Sequence, residues 1–564
     1  MPWFSRRVVL TLCVALLWRA LPLAAQWQSN SGPAGAALGV VVGGDVERYV
    51  RALTMAGIIK PVAWGARAFS AGDLAEMLRD STRAEHPWRG RLATTLPHRM
   101  SLGVSAFAGN NTGFAWGSND GAMWQGRGFN GALGVAANLR IWRLSAVAAP
   151  LAFSAQNTSF PTLVPVVASA SPYSDALFPT IVDLPQRMGG ASYSRVDPGE
   201  STLRFRAPIL DVGISTASIG WGTGEAFPAI FGSNAGGFPR LFIETSGRGV
   251  RIPVVGRVKA QYILGRLDQS AWSNVHGSET YIDRDQSGTR RIGVGFSISV
   301  MPQLLPTLEL GASRFYHSPY HDGARRWAAW SKPFEGIFKN GFSGRSGGPN
   351  DAGGDVDNQI ASFYARWIFP ARGAEANFEL LREDHNWDSR DLALEPDNNS
   401  AVLASIRATT HRGADNLAYL TLEYFDGDIR PIAQARAQGY IYSHGYLRQG
   451  HTQRGQLLGS PIGVGAISGE RIAWERFTPT GSLRVNLQRW RTRAVFTTNP
   501  EALFLGAETE VPNNHDWIVD GSVASTRYRG TRALTIEGGI AWAGLFNFDA
   551  SRTNLYARAS WSMF

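Results

Sequence analysis

From about Met100 to the C-terminus, apolar and polar residues alternate with a period of two in segment after segment. The pattern is clearest over residues 132–141, 254–264, 292–300 and 483–488. It indicates β-strands with one apolar and one polar face. A soluble sandwich would use shorter strands, whereas these run to about 9–11 residues, the length that crosses a bilayer at a tilt.

The residues at the ends of the strand segments and the number of segments are also typical of a membrane barrel. Aromatic residues that suit an interfacial girdle lie near segment ends, among them Trp142, Trp221, Trp367, Trp490 and Tyr556. At about 25 residues per strand and loop, this part of the chain gives about 18 strands. The sequence therefore predicts an all-β fold, an antiparallel outer-membrane β-barrel of about 18 strands spanning residues 99–564.

Residues 1–25 are typical of a secretory signal peptide, with Arg6 and Arg7 before an apolar core. The single cysteine, Cys13, lies inside it, so we expect a mature protein without disulfides or thiol chemistry. These features predict export to a Gram-negative-type outer membrane.

Residues 26–98 are expected to form a flexible segment, to about residue 44, followed by a small periplasmic helical bundle. Apolar residues cluster on one face from Asp45 to Ala56, and Ser70 to Asp73 resembles a capping box that begins a second helix. Two short helices are too few for a core of their own, so they must pack on a larger body.

Charged residues make up only 18% of the chain, but the net charge is +10, mostly from Arg. A basic exported protein can meet lipopolysaccharide phosphates or an acidic polysaccharide. Nucleic acid is not expected as a partner, because the chain is exported.

Many charges fall on the face of the strands that should point into the barrel. An Arg or Lys on the lipid face would cost about 2–4 kcal/mol at the bilayer midplane. We therefore expect these charges to line the lumen, either as a lattice of mutually neutralising ion pairs, which their mixed signs favour, or as an anion-selective channel. They are Arg140, Arg204, Arg257, Lys259, Glu309, Arg366, Glu379, Glu423 and Arg484.

The segment from Trp221 to Pro239 fits neither helix nor strand. Its glycines would break a helix, and Pro228 and Pro239 cannot donate in a ladder. Lipid cannot satisfy irregular backbone. We therefore expect this segment to plug the lumen or to form the rim.

No G-x-S-x-G nucleophile elbow between a strand and a helix and no H-E-x-x-H motif is found, and we expect neither an enzyme nor a metal or cofactor. Aromatic residues do cluster with polar ones at 116–128, 316–330 and 382–391. Aromatic rings can stack on sugar rings while polar groups bond the hydroxyls. These clusters indicate glycan contact, although interface anchoring is the alternative for any one Trp.

Several segments resemble the capsule-assembly Wzi family. The Trp-Gly-x-Gly run at 221–244 and the Tyr/His-rich loop at 442–463 are similar to that family's segments, as are 183–205 and 357–370. Residues 57–64 match its helical bundle, although the family usually has Trp-Pro where this chain has Trp64-Gly65.

The resemblance implies an 18-stranded barrel that binds capsular or extracellular polysaccharide at the cell surface and does not catalyse a reaction. A porin or transporter for anionic or sugar solutes is the alternative. The residues expected to bind polysaccharide or form a plug are Trp116, Asp120, Trp124, Trp221, Gly222, Gly224, Asn234, Tyr442, His444, Arg448 and Gln453. Expected partners also include outer-membrane lipids, lipopolysaccharide and the barrel-assembly machinery, which commonly recognises a terminal Phe such as Phe564.

Overall fold

A computed structural model describes residues 39–67, 69–79, 85–95, 99–273, 290–319, 329–334, 357–383, 389–394, 396–397, 399–427, 440–444, 447–494, 515–544 and 550–564. Outside the described residues lie the predicted signal peptide with Cys13, residues 26–38 of the expected flexible segment, residues 320–328 of the second aromatic cluster and residues 384–388 of the third.

Eighteen antiparallel strands form one closed barrel, as predicted. Several strands are interrupted and consist of two segments. The strands are β1 (Met100–Asn111), β2 (Gly128–Ile141), β3 (Leu144–Ala148 and Leu151–Ala155), β4 (Tyr193–Asp197 and Thr202–Arg206), β5 (Leu210–Ser215), β6 (Arg240–Thr245 and Val250–Ile252), β7 (Gly256–Asp268), β8 (Arg290–Pro302), β9 (Leu308–Pro319), β10 (Asn358–Phe369), β11 (Ala374–Glu383), β12 (Ser400–Arg412), β13 (Leu417–Gly427), β14 (Ala466–Thr478), β15 (Gly481–Ala494), β16 (His515–Arg529), β17 (Arg532–Gly544) and β18 (Arg552–Met563).

The barrel closes where β18 pairs with β1, with Val104 opposite Met563 and Asn111 opposite Tyr556. Phe564 follows the last strand, against Gly103 of β1. Gly103 belongs to the inward face, since Leu102 beside it is 66% exposed. The terminal Phe is thus out of phase with the apolar face of its own strand.

The period-two alternation places apolar side chains outside. On β2, Leu133, Val135 and Leu139 are exposed, whereas Asn138 between them is buried. An outer face of exposed apolar side chains is expected to contact lipid. One residue departs from the pattern: Val254, which the alternation assigned to the strand, lies in the turn before β7 with a φ of 69°.

The two ends of the barrel differ in their connections. At one end the strands are joined by short turns such as 142–143, 479–480 and 530–531, and at the other by long loops such as 112–127 and 156–192. In outer-membrane barrels the short turns face the periplasm and the long loops face outward.

The N-terminal residues form a helical unit at the short-turn end. It comprises α1 (Asp45–Met55), α2 (Ala71–Leu78) and α3 (Arg89–Thr95). All residues of α1 are buried, which shows that the unit packs on the barrel, as expected of so small a bundle. A further helix, α4 (Ser389–Leu394), lies between β11 and β12. The described residues include no helix of the length and apolarity that a membrane span needs.

The contacts of this helical unit confirm its position. Tyr49 of α1 stacks on Trp88 at 4.2 Å, and Trp88 meets Phe477 of β14 edge-on. Arg91 of α3 donates hydrogen bonds to the carbonyls of Pro479 and Gly530 in the short turns.

Two sequence expectations about this region have different outcomes. The capping box is confirmed, since the Ser70 side chain accepts from the Asp73 amide and Asp73 accepts from the Ser70 amide. The flexible segment was expected to reach residue 44, which is wrong for its last residues. Val40 and Val42 are each 3% exposed, because they pack into the core of the helical unit.

Asp45 at the start of α1 makes the stability of this docking sensitive to pH. Burial raises the pKa of Asp45 to about 6, although the hydrogen bond that its carboxylate accepts from the Tyr528 hydroxyl at 2.6 Å lowers the pKa in part. The folded state therefore favours the protonated acid. The contribution of protonated Asp45 to the free energy of unfolding is complete below the ordinary pKa of 3.8 and is lost as the pH rises through about 6.

We predict that Asp45→Asn removes this dependence. Between pH 4 and 7 the wild type should lose on the order of 2–3 kcal/mol that the variant keeps. Thermal unfolding midpoints across that pH range measure the difference. Parallel pH profiles for the two proteins would contradict the prediction.

Candidate functional site

The segment 221–239 folds into the barrel and fills its lumen. Trp221, Phe227, Ile230 and Phe231 are at most 1% exposed, and they pack against inward side chains of the wall such as Phe315. Of the two placements expected for this segment, inside the lumen or at the rim, the structure has the first. We call residues 221–239 the plug.

Two short contacts fix the start of the plug. The Trp221 indole donates to the Gln261 side chain of β7 at 2.7 Å. Gly220–Trp221 also pairs with Ala66–Arg67, so the N-terminal unit and the plug share a two-stranded ribbon. The helical unit therefore meets the plug inside the barrel.

Carboxylates on the barrel wall accept the backbone N–H groups of the irregular segments. Glu423 accepts from the amides of residues 225, 226 and 227 at 2.9–3.0 Å. Glu379 accepts from Thr223, and Glu309 accepts from Trp64 and Gly65. A buried backbone amide without a hydrogen-bond partner in a β-ladder destabilises the folded state, and here the barrel wall supplies the acceptors.

The arginines of the wall neutralise these carboxylates. Arg366 pairs with Glu309 at 3.4 Å and with Glu375 at 2.7 Å, and Arg407 reaches Glu375 and Glu423. Arg51 of α1 joins the same group, because it pairs with Glu375 and donates to the Thr223 carbonyl. The ion-pair lattice that the sequence favoured is thus present in the described lumen.

The remaining predicted lumen charges are distributed around the wall. Arg204 pairs with Asp211 and Glu244, Lys259 donates to the Gly247 carbonyl, and Arg257 to that of Gly249. Arg140 is half-buried on β2.

A second loop region covers the plug. Tyr442 is fully buried, and its hydroxyl donates to the Ala229 carbonyl at 2.7 Å. Its backbone amide donates to the Glu383 carboxylate of β11. His451 contacts the Ile230 carbonyl at 2.7 Å, and burial lowers the pKa of His451 to about 4, so the ring is neutral.

Other predicted residues of these loops also hold the packing together. Gln453 accepts from the Asp268 amide, and His444 accepts from the Leu447 amide. Asn234 donates to the Leu457 carbonyl. Gly224 lies against Phe227 and Leu403. Arg448 is half-buried beside them.

A polar cavity of about 110 Å³ lies between the plug and the wall on the side of β14–β18. Trp116 and Asp120 line it together with Arg484, Tyr556 and Arg558. The Trp116 indole donates to Asp520 at 3.1 Å. A space of this size holds on the order of ten water molecules. Two residues predicted for glycan contact thus face an internal chamber.

An aromatic and basic surface lies at the loop end, beside β4. Trp124, Tyr193 and Trp272 are half-buried, with ring centroids 6.3 Å apart for the first pair and 5.4 Å for the second. Arg195 and Arg454 lie beside Asp197, and Arg454 pairs with it at 3.0 Å. We call these five residues (Trp124, Tyr193, Arg195, Trp272 and Arg454) the aromatic rim.

The structure therefore divides the predicted site. Most of its members, including Trp221, Gly222 and Tyr442, form the packed interior, and only Trp124 belongs to the rim. Tyr193, Arg195, Trp272 and Arg454 were missed. Period two in Tyr193–Asp197 would have placed Tyr193 and Arg195 on the inward face, but no sequence signal connects them to Trp272 or Arg454.

The described aromatic residues of the cluster at 316–330 lie in different settings. Tyr316 is 1% exposed, and Trp330 lies on a short 3-10 helix, Ala329–Phe334. Phe334 of that helix stacks on Tyr262 and Phe296 of the barrel wall. Glycan contact by this cluster stays a prediction, since Tyr320 and Trp327 lie outside the described residues.

Among the described residues, no group of three or more His, Cys, Asp and Glu side chains could hold a metal ion.

Comparison with known proteins gives one matching family and several similar solved structures. The model of the family described as "Capsule assembly protein Wzi" matches residues 118–531. No curated protein matches the chain in sequence.

Among solved structures, Wzi of Escherichia coli aligns with a TM-score of 0.61 at 14% identity, over 93% of this chain and 99% of that one. That protein is described as an outer-membrane protein involved in group 1 capsule assembly and as a carbohydrate-binding β-barrel. OccAB1 of Acinetobacter baumannii aligns over 82% of this chain and 97% of its own with a TM-score of 0.39 at 9% identity, and this likeness supports no inference.

Gly222 tests the fit of the plug against the wall. Its φ is +82°, and a Cβ there would meet the Glu379 carboxylate. We predict that Gly222→Ala destabilises the plug by at least about 1–2 kcal/mol, the cost of a left-handed L-residue. The midpoint of thermal unfolding should fall, and single-channel recordings in planar bilayers should show conductance absent from the wild type.

The matched control is Gly538→Ala on β17, where a Cβ meets nothing within 4 Å. It should leave both measurements unchanged. A Gly222→Ala protein that behaves like this control would show that the plug is not fixed by this contact.

Proposed function

The chain belongs to the capsule-assembly Wzi family, and on this basis we propose that it binds capsular or extracellular polysaccharide and helps to hold it at the cell surface, without catalysis. It is an outer-membrane β-barrel, with an apolar face towards lipid and long loops at one end. The proposal rests above all on one observation, the filled lumen.

The plug favours surface binding over transport. A porin or transporter requires a path through the barrel, whereas here the plug and the loop at 440–463 pack with the helical unit inside the wall. The wall carboxylates of Glu309, Glu379 and Glu423 are already bonded to an arginine or a backbone amide. The binding surface is therefore the loop end.

The aromatic rim has the chemistry of a glycan site. Its half-buried rings offer apolar faces on which sugar rings can stack, and its arginines offer donors for hydroxyls and carboxylates. Arg454 is positioned by Asp197 and Asp268 at 3.0 and 3.1 Å, so its guanidinium is fixed before a ligand arrives. Together with a net charge of +10, this surface suits an acidic polysaccharide.

The absence of catalysis belongs to the same proposal. Two buried histidines, one in the loop region and one on β9, bond neighbouring groups: His451 meets the Ile230 carbonyl and His317 meets Asn358. Both act in packing, and neither is placed beside a nucleophile that it could activate.

We predict that Trp124→Ala and Trp272→Ala each weaken binding of acidic polysaccharide by about tenfold or more, the effect of removing a central aromatic anchor. Trp142→Ala is the control, because Trp142 is 84% exposed but lies in a short turn at the opposite end. Titration of the purified protein with acidic and neutral surface glycans measures the affinities.

Affinity for the acidic glycan should also fall as salt is raised, since screening weakens the contribution of the arginines. Equal binding of neutral and acidic glycans at low and high salt would refute the acidic preference. Loss of binding in Trp142→Ala, with Trp272→Ala unaffected, would place the site elsewhere.

A further inference from the structure

The lipid-facing wall carries an apolar groove across β1–β8. It has a volume of about 890 Å³, and its lining includes Leu102, Leu139, Leu203, Ile214 and Leu241, which are 42–66% exposed. A regular barrel is convex outside, so a concavity of this size needs a local cause.

The cause is a break in the strands. β5 ends at Ser215 and β6 begins at Arg240, opposite each other, while β4 and β7 continue towards the loop end. Among the described strands, Tyr193–Asp197 of β4 pairs on one edge only, with Leu151–Ala155. The wall therefore has a notch between β4 and β7, and the groove leads up to it.

The groove follows a row of paired residues across the sheet. Met100 lies opposite Leu139, and the row continues on the outer face through Ala146, Leu203, Ile214 and Leu241 to Leu264. At about 4.8 Å per strand, the row extends for about 29 Å. Small side chains on the outer face, such as Ala137 and Ala148, leave room along it.

The charge of the groove is one-sided. Its lining contains no carboxylate, and of its two arginines Arg240 is 7% exposed and donates to the Ala217 carbonyl, so Arg266 is the charge at its surface. Arg266 is near the loop end of β7, where its side chain is 37% exposed and pairs with Asp268 at 3.2 Å. Arg290, exposed at the start of β8, lies opposite Asp268 in the register. The end of the groove in the outer leaflet is therefore basic.

A structural bridge keeps this end in place. Arg454 joins Asp197 of β4 to Asp268 of β7 across the notch, and its amide also donates to the Asp268 carbonyl. The basic end can thus meet a ligand while the wall remains closed.

We propose that this groove binds lipopolysaccharide, with an acyl chain along the apolar row and a phosphate at Arg266 and Arg290. An apolar groove in the bilayer takes an acyl chain, because lipid is the only solvent there. The outer leaflet supplies an acylated glycolipid with phosphates, and the arginines match its charge. This site is separate from the aromatic rim and does not depend on the proposed polysaccharide binding.

The test uses the full-length protein with purified rough lipopolysaccharide, phosphatidylglycerol or phosphatidylethanolamine in detergent, and native mass spectrometry to count bound lipid. The wild type should retain one lipopolysaccharide in preference to both phospholipids. Ala148→Trp, which fills the groove from outside, should reduce retention by about tenfold or more. Gly538→Trp, on the exposed face of β17, is the matched control and should not change it.

Arg266→Ala provides a second variant that leaves the groove open. It should lower retention of lipopolysaccharide towards that of phosphatidylethanolamine, and polysaccharide binding by both variants should equal that of the wild type. Equal retention by Ala148→Trp and Gly538→Trp, or a wild type that retains phosphatidylglycerol as well as lipopolysaccharide, would overturn the proposal. Loss of polysaccharide binding in Trp272→Ala alone would bear only on the rim.

Discussion

The structure depends on carboxylates of the barrel wall that accept hydrogen bonds from backbone amides inside the lumen. A barrel of eighteen strands encloses a space that its own inward side chains do not fill. Irregular backbone can fill that space only if its N–H groups find partners. Glu309, Glu379, Glu383 and Glu423 provide them, from the three strands β9, β11 and β13. Without these carboxylates the plug would leave amides unpaired in a dry interior.

The same carboxylates explain the arginines. A buried carboxylate is stable only when it is paired and hydrogen-bonded, and Glu375 meets Arg51, Arg366 and Arg407 together. Since Arg51 belongs to α1, the lattice ties the helical unit to the wall and, through the Thr223 carbonyl, to the plug. Wall, plug and helices therefore form one connected polar network.

Some of this organisation could be read from the sequence. Alternation of period two identified strands and the inward charges, the glycines and prolines of 221–239 identified a segment outside the ladder, and the capping box identified α2. The rim could not be found in this way, because Trp124, Tyr193 and Trp272 come from three separate segments. Nor could α3, since residues 89–95 carry neither a cap signal nor a clear apolar face.

The sequence by itself determined which residues face lipid and which face the lumen, because the direction of a side chain in a strand is set by its neighbours and by the cost of charge in lipid. Only the tertiary structure decided which partners meet. The closure of the barrel brings the amide of residue 225 to Glu423 and Arg454 to both Asp197 and Asp268, across separations of about 200 residues in the chain. The notch in the wall has the same origin, since it depends on where two neighbouring strands end relative to those on either side.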